Sequence, residues 1–246
     1  MKVTGSNPVP PTKIKPMKII SWNCCLPPWS FSRNQRLPFI ASAILTENPD
    51  LICLQEIFFK NDAQYLTKKF AQNGFGHSFK YQNLLIISKN PILFHCGKKF
   101  KDQGRLLSFA ILDVLYGKAF QVVGIQTANH KIFLTNTHLL SAYALAGKGH
   151  QNTRVAQVTE IVTYLKTVTN NNIIIVGDFN FEPNTEPYQT IVGEKYIDIS
   201  QQILKTTNKK LDFIFTKNLS ANVINISSTF TNLSDHAFLT LELQTL

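Results

Sequence analysis

Apolar residues along the chain fall into two kinds of run, one typical of buried strands and one typical of amphipathic helices. Three short runs rich in Ile, Leu and Val, at 18–20, 51–53 and 173–176, are each followed by polar residues. Apolar runs of this length, bounded by polar turns, predict buried strands. Further strands are predicted at 84–88, 106–114, 120–127, 132–137, 211–215, 223–227 and 237–243.

Helical spacing of apolar residues appears in three other segments. A stripe in 36–47 predicts one helix, Asn61 or Asp62 is expected to cap a second that ends near 72, and 152–168 is the longest. The strands from 106 to 137 predict an antiparallel meander with turns at 116–117 and 129–130. Two sheets packed face to face, with helices outside, accommodate this order in one domain. No glycine-rich turn follows the first strand, which disfavours a doubly wound dinucleotide fold.

Composition sets limits on the class of protein. With 44% hydrophobic and 16% charged residues among 246, the chain is not disordered. No apolar run approaches the roughly 18–20 residues that span a bilayer. Residues 1–16 hold four prolines and three lysines but no signal-peptide core, so we expect a flexible leader there, followed by a single domain over 17–246. The expected location is the cytoplasm, or outside the cell by a route without a signal peptide.

The cysteines and the charge narrow the setting further. Cys24, Cys25, Cys53 and Cys96 have neither disulfide-framework nor zinc-site spacing, and predict free thiols in a reducing compartment. Net charge is +10, of which the leader supplies +3, leaving +7. Such a surface attracts nucleic acid or an anionic membrane, although a solvated basic face explains scattered lysines equally well. No protein partner is predicted.

Four polar signatures stand where strands should end. They are Ser21-Trp22-Asn23, Leu54-Gln55-Glu56, Gly177-Asp178-Phe179-Asn180 and Ser234-Asp235-His236. If neighbouring strands deliver these positions to one edge, their carboxylates, amides and imidazole converge. Oxygen ligands suit a hard cation such as Mg²⁺, and the histidine is then free to act as a base. The chain is therefore predicted to be a metal-dependent phosphoesterase.

Each residue has a predicted role and a simpler alternative. Glu56 is expected to carry the metal, with an oxygen of Asn23 beside it and Asp235 as a second acid; the alternative is that Glu56 caps the following loop. Asp178 and Asn180 alternate with a phenylalanine, so an extended backbone points both to one side. The carboxylate would act on water or the leaving group and the amide on a phosphoryl oxygen, unless the segment is only an Asx turn.

A histidine–carboxylate pair is predicted near the chain end. Asp212 lies in an otherwise apolar strand, where a buried carboxylate needs a partner, and His236 is the natural candidate. The imidazole pKa can be set near neutral, as a base requires. His138, at another strand end, would donate to phosphate. A purely structural role is the alternative for both histidines.

Taken in order, these motifs resemble the endonuclease/exonuclease/phosphatase superfamily over about 17–243. The resemblance implies a four-layered α/β sandwich of two packed mixed β-sheets flanked by helices, as in DNase I-like folds. It also implies dependence on Mg²⁺, for which Mn²⁺ can substitute, and in-line attack by water. For single residues it implies metal binding by Glu56 and Asn23 with Asp235 close by, a general base at His236 oriented by Asp212, and phosphate or leaving-group contacts from Asp178, Asn180 and His138.

Within the superfamily, the neutral sphingomyelinases and inositol-phosphosphingolipid phospholipases are most similar. The similarity lies in 23–28 with Arg33 and Arg36, in 55–58, and in Arg154-Val155-Ala156-Gln157; Gly104-Arg105 stands at their Lys-Gly position. Thr153 is a difference from these proteins, which often have a histidine immediately before the arginine. The resemblance implies a phosphodiesterase that releases a phosphorylated lipid headgroup. A nuclease using the same centre is the alternative, and a catalytically inactive binding module is disfavoured because all the acid, amide and histidine positions are retained.

Aromatic residues beside the predicted site form a candidate substrate rim. Trp29 and Phe31 lie in a proline-stiffened loop after the first strand, and Phe58 follows Glu56. Tryptophan suits the membrane interface, so these residues predict contact with a phospholipid or a membrane surface. The alternative is that they pack on the core beneath the loop.

Overall fold

The structure is a computed structural model that describes residues 16–30, 32–104, 116–127, 131–141 and 150–244. Several predictions fall outside these ranges: residues 1–15 of the leader, Phe31, Arg105, the strand at 106–114 and the turn at 129–130.

The described strands form two six-stranded sheets. The first contains β1 (Met17–Asn23), β2 (Leu51–Gln55), β3 (His77–Tyr81), β4 (Leu84–Ser88), β11 (Asn222–Thr229) and β12 (Phe238–Gln244), in the order β11-β12-β1-β2-β4-β3. The second contains β5 (Ile92–Lys99), β6 (Ala119–Gln126), β7 (Lys131–His138), β8 (Ile173–Asp178), β9 (Ile197–Asp198) and β10 (Asp212–Lys217), in the order β5-β6-β7-β8-β10-β9. The pairs β1–β2 and β7–β8 are parallel and the other pairs antiparallel, so both sheets are mixed.

Helices cover the outer face of each sheet. The helices α1 (Arg33–Thr46) and α2 (Lys60–Ala71) share an apolar cluster with the first sheet, and α3 (Gln151–Val168) and α4 (Glu186–Gly193) share one with the second. A third cluster fills the space between the sheets. The predicted four-layered α/β sandwich is therefore confirmed. Among the described helices, none has both the length and the apolar composition that crossing a bilayer demands.

Alternation along the strands explains the layers. In β1, Ile20 belongs to the helix-facing cluster and Ile19 to the cluster between the sheets. In β8, Ile175 faces the helices and Ile174 the opposite sheet. Because successive side chains point to opposite faces, a strand covered on both sides must be apolar throughout. This is why short continuous apolar runs identify the central strands.

Four elements were not predicted, and one helix start was wrong. The edge strands β3 and β5 contain only exposed and half-buried residues, β9 has only two residues, and α4 has only eight. Cys96 accordingly lies inside β5, not near a strand end. The helix α2 begins at Lys60 with Phe59 as N-cap; Asp62 lies in its first turn and pairs with Arg33 Nε at 2.9 Å. The four cysteines are free, as predicted.

Candidate active site

Strand register aligns one half of the site. His138 in β7, Asp178 in β8 and Asp212 in β10 are direct cross-strand neighbours, so the three side chains form a row across the second sheet. Gly177, just before Asp178, has φ +140°, and an added Cβ would lie 2.0 Å from the Thr137 carbonyl oxygen. Only glycine allows the two strands to approach this closely at the level of the site.

A left-handed residue follows three of the strands that carry the site. Cys25 (φ 48°) follows β1, Glu56 (φ 62°) follows β2 and Asn180 (φ 51°) follows β8. This conformation costs a non-glycine residue about 1–2 kcal/mol, and such residues concentrate at functional sites. The prediction of an extended backbone from Asp178 to Asn180 is therefore wrong: the chain turns at Asn180, whose side-chain amide donates to the Leu139 carbonyl oxygen at 3.1 Å.

Asn23 joins the acidic residues of the two sheets. Its Nδ2 donates to Glu56 Oε1 at 3.2 Å and to Asp178 Oδ2 at 3.0 Å. Its Oδ1 accepts the Cys25 backbone N–H at 3.0 Å. In this arrangement the amide nitrogen of Asn23 faces the carboxylates, whereas the sequence predicted its oxygen there.

A buried polar bridge lies beneath this contact. Gln55, the residue before Glu56, donates to Asn136 Oδ1 at 2.7 Å, and Asn136 donates to Gln121 Oε1 at 3.2 Å. The bridge connects β2 of the first sheet with β7 and β6 of the second. Buried side-chain hydrogen bonds are directional, so they fix how the two sheets lie against each other.

The Asp212–His236 pair is present. The Nδ1–H of His236 donates to Asp212 Oδ2 at 2.8 Å, and its Nε2 lies 3.8 Å from Asp178 Oδ2. Burial lowers the pKa of His236, but the carboxylates of Asp212 and Asp178 outweigh burial and raise it to about 10. Asp212 therefore fixes the orientation of the ring, and it retains the Nδ1 proton when the ring gives up the proton on Nε2.

Hydrogen bonds of Ser234 and Thr206 connect the His236 loop to both sheets. Ser234 Oγ donates to the Asn23 carbonyl oxygen at 2.7 Å and accepts the His236 backbone N–H at 3.1 Å. Buried Thr206 accepts the Ala237 N–H on its carbonyl oxygen at 2.7 Å and the Asp212 N–H on its Oγ1 at 3.1 Å. Thr206 thus links the strand of Asp212 to the loop of His236, a role that no sequence motif indicated.

Lys118 is the main site residue that the sequence analysis missed. It is 2% exposed, and its Nζ donates to His138 Nε2 at 2.7 Å. The Gln103 side chain accepts the Lys118 backbone N–H on Oε1 (2.7 Å) and donates from Nε2 to the Lys118 carbonyl oxygen (2.9 Å). The positive charge of Lys118 lowers the pKa of Glu56, which burial raises. The signal was available, since a lysine directly after the Tyr116-Gly117 turn begins an otherwise apolar strand.

His138 is not free to donate a hydrogen bond to phosphate, although the sequence predicted that it would. Its Nε2 accepts from Lys118, and its Nδ1 lies 3.1 Å from the Asn83 side-chain amide. Burial, then the nearby charges of Lys118 and His236, hold the pKa of His138 well below its usual value. Both ring nitrogens have protein partners, so the ring is a neutral support for Lys118.

The charges around Glu56 fit a cation. Burial raises the pKa of Glu56, and exposed Asp235 raises it further, so the two carboxylates repel each other across the mouth of the site. Burial also raises the pKa of Asp178, to about 7. Asp178, Asp212 and His236 form a second group with metal-ligand atoms, but Asp212 there already accepts the imidazole N–H. Glu56 and Asp235 offer the remaining carboxylate oxygens, the ligand type that hard divalent cations take.

The described aromatic residues of the predicted rim lie in the loops that follow β1 and β2. Trp29 is 55% exposed, which argues against packing on the core, and half-buried Phe58 packs edge-on against Tyr116 with ring centroids 5.1 Å apart. Phe31, the third predicted rim residue, lies outside the described residues. The loop that carries Trp29 is fixed by Arg36, which donates to the carbonyl oxygens of Cys24 at 2.7 Å and Cys25 at 2.8 Å.

Known proteins share both sequence and fold with this chain. A putative neutral sphingomyelinase of Drosophila melanogaster is 25% identical over 195 residues, 76% of this chain and 41% of the relative. An inositol phosphosphingolipids phospholipase C of Saccharomyces cerevisiae is 26% identical over 158 residues, 60% of this chain and 33% of the relative. The matches thus span less than half the length of these relatives.

A crystal structure of a Staphylococcus aureus beta toxin variant with bound magnesium ions superposes with a TM-score of 0.71 at 16% identity, covering 93% of this chain and 99% of the toxin. This likeness shows a shared fold. The model of the Endonuclease/Exonuclease/phosphatase family matches residues 20–236, which include every site residue described above. This chain belongs to the Endonuclease/Exonuclease/phosphatase family.

Proposed function

We propose that this protein is a Mg²⁺-dependent phosphodiesterase that hydrolyses a phospholipid by attack of water and releases the phosphorylated headgroup. The observation that carries the proposal is the Asp212–His236 pair, whose Nε2 faces the Asn23–Glu56–Asp178 group. A base and a cluster of carboxylates on one edge are the groups that hydrolysis of a phosphate ester requires.

The residues divide the work by position. His236 takes the proton of the attacking water on Nε2, because Asp212 occupies Nδ1–H. Lys118, supported by His138, supplies fixed positive charge against the phosphoryl oxygens. Asp178 accepts the Asn180 backbone N–H at 2.9 Å and the Asn23 amide, which orients its carboxylate towards the leaving group. Asn180, turned by its left-handed backbone, lines the adjoining cavity and contacts the phosphate.

Glu56 and Asp235, with Asn23 after rotation of its amide, would hold the cation. Mg²⁺ at this position would offset charge on the phosphoryl oxygens and, through repulsion, lower the pKa of His236 towards the range of a working base. Mn²⁺ has similar ligand preferences and should substitute.

The lipid substrate is favoured by exposed Trp29 beside the site and by the two named relatives, a neutral sphingomyelinase and a sphingolipid phospholipase. The second candidate is a nuclease with the same catalytic centre. The net charge of +7 outside the leader supports it, because a positive surface attracts the phosphates of nucleic acid. In both cases residues 17–246 would form the catalytic domain and residues 1–16 a leader.

One panel of substrates tests the proposal. Sphingomyelin, an inositol-bearing phospholipid and plasmid DNA would be incubated with the protein in Mg²⁺ and in excess chelator. We expect Mg²⁺-dependent release of a phosphorylated headgroup from at least one lipid, restored by Mn²⁺ after chelation. Full activity in chelator refutes the metal dependence, and cleavage of DNA alone moves the assignment to the nuclease.

A further inference from the structure

A cavity of about 480 Å³ opens beside the catalytic pair. His236, Asp235 and Asn180 form one end of its lining, and Glu56 is not part of the lining. The cavity therefore adjoins the reacting centre at His236 and Asp235, and Glu56 lies outside its lining. A substituent of the scissile phosphate would enter it while the phosphoryl group stays near Glu56.

Arg154 gives this cavity a buried positive charge. The residue is 3% exposed and comes from the first turns of α3. Its Nη1 donates to the Leu140 carbonyl oxygen at 3.3 Å, and its Nε is buried with no hydrogen-bond partner. Among the described residues, no carboxylate lies within ion-pair distance of the guanidinium. A buried guanidinium with five N–H donors and one neutral acceptor is costly unless an anion completes the site.

The N-terminal end of α3 adds positive charge to the same cavity. The first turn of this 18-residue helix has no acidic residue, and the N-cap, His150, makes no side-chain capping hydrogen bond. Gln151, the first residue of the helix, also lines the cavity. A helix N-terminus carries partial positive charge, which reinforces the charge of Arg154. Burial lowers the pKa of Arg154 to about 10, against the charge of the Asp178 carboxylate, which raises it but lies beyond ion-pair distance; the guanidinium therefore remains charged at neutral pH.

The other wall residues do not suit a quaternary ammonium group. Such groups are recognised by open aromatic faces. Phe181, the aromatic residue that lines the cavity within the described ranges, is 3% exposed and packs against Phe179 and Phe213. Lys209, at the rim, is paired with Glu182. Asp235 is exposed and assigned to the cation, so among the described residues Arg154 is the buried charge, besides His236, that a substituent in the cavity would meet.

We infer that this cavity binds the substrate headgroup and that Arg154 selects headgroups carrying an anionic group, such as a carboxylate, over cationic ones. The inference rests on the proposed phosphodiesterase function and names its substrate class. A carboxylate meets the planar guanidinium with charge-assisted hydrogen bonds. A trimethylammonium group would meet a like charge in a poorly solvated space.

Calorimetric titration in Mg²⁺ tests this without turnover. O-Phosphoserine and O-phosphoethanolamine are matched headgroup products that differ only by a carboxylate. We expect phosphoserine to bind at least about tenfold more tightly, the scale of a hydrogen bond to a charged group. Phosphocholine should bind no better than phosphoethanolamine. In Arg154→Gln the advantage of phosphoserine should vanish while phosphoethanolamine changes less than about threefold, and Arg154→Lys should keep part of the advantage. Lys166→Gln, in the last turn of α3 and outside the cavity, is the control, with wild-type preference.

Three results would overturn the inference. They are equal affinities in the wild type, equal weakening of both compounds in Arg154→Gln, which would place the guanidinium on the phosphoryl group, and no binding of either compound. The wild-type comparison does not depend on a variant that folds. Selective binding without hydrolysis of any phosphodiester would reject the proposed function and leave the cavity assignment intact.

Discussion

The side-chain amide of Asn23 donates to Asp178 Oδ2 over 3.0 Å, and this hydrogen bond connects the end of β1 in one sheet with the end of β8 in the other. The same amide donates to Glu56, and the backbone carbonyl oxygen of Asn23 accepts a hydrogen bond from the Ser234 hydroxyl. One residue therefore touches Glu56, Asp178 and the loop that carries His236. The site depends on contact between two sheets that share no strand.

Loss of the catalytic pair should abolish most activity. Positioned bases contribute roughly 10²–10⁴-fold, so His236→Ala should reduce kcat/KM by at least about 10²-fold. Asp212→Asn should lose a similar factor, because the asparagine can hold the ring with the wrong nitrogen protonated. Steady-state kinetics on the active substrate of the panel would measure this. A rate within a few-fold of wild type for His236→Ala would exclude it as the base.

Glu56→Gln should weaken activation by metal more than it affects folding. The substitution keeps the shape and the Asn23 contact but removes the charge that faces Asp235. We expect the Mg²⁺ concentration for half-activation to rise by at least about tenfold, with an unchanged melting temperature. Glu47→Gln, at the end of α1, is the control. An unaltered Mg²⁺ dependence would remove Glu56 from the metal site.

The protonation of His236 should depend on metal. In chelator, NMR titration should give its imidazole a pKa of about 10, above the ordinary value, and Mg²⁺ should lower it. Because the pKa in the folded protein is raised, the stabilisation from the Asp212–His236 pair is complete below about pH 6.5. It is lost as pH rises towards 10. The difference in free energy of unfolding between wild type and Asp212→Asn should shrink across that window. A pKa at or below 6.5 in chelator would contradict the ion pair.

Lys118→Met should remove the buried positive charge while keeping the length of the side chain. We expect a loss of about 10²-fold in kcat, the scale reported for a fixed electrostatic contact to the transition state. The pKa of Glu56 should rise, since Lys118 lowers it. Lys98→Met, whose ammonium lies over the Tyr164 ring away from the site, is the matched control. Equal effects of the two variants would make Lys118 a structural residue only.

Trp29 should matter for membranes rather than for chemistry. Trp29→Ala, alone or with Phe31→Ala, should reduce vesicle binding and hydrolysis of bilayer lipid several-fold and spare a soluble short-chain substrate. Phe39→Ala, on α1 and 63% exposed, controls for the loss of any exposed aromatic residue. If Trp29→Ala lowers both activities equally, the side chain supports packing of the loop instead.

The sequence by itself determined the central strands and the chemistry at their ends. Ile173–Asp178 reads as a buried strand because both of its faces are covered, and Asp212 required a partner because a buried carboxylate cannot stand alone. The edge strands β3 and β5 were not predicted, because their exposed and half-buried residues do not form a continuous apolar run. The short helix α4 likewise has too few turns for a periodic pattern.

Only the tertiary structure decided which groups meet across the two sheets. The amide orientation of Asn23, the turn at Asn180 and the contact of Lys118 with His138 depend on residues 20–155 positions apart in the chain. The unpaired guanidinium of Arg154 was equally invisible, because its helix reads as an ordinary amphipathic stripe. Periodicity records which face of an element is covered, whereas hydrogen-bond partners and missing counter-ions arise only when separate elements pack together.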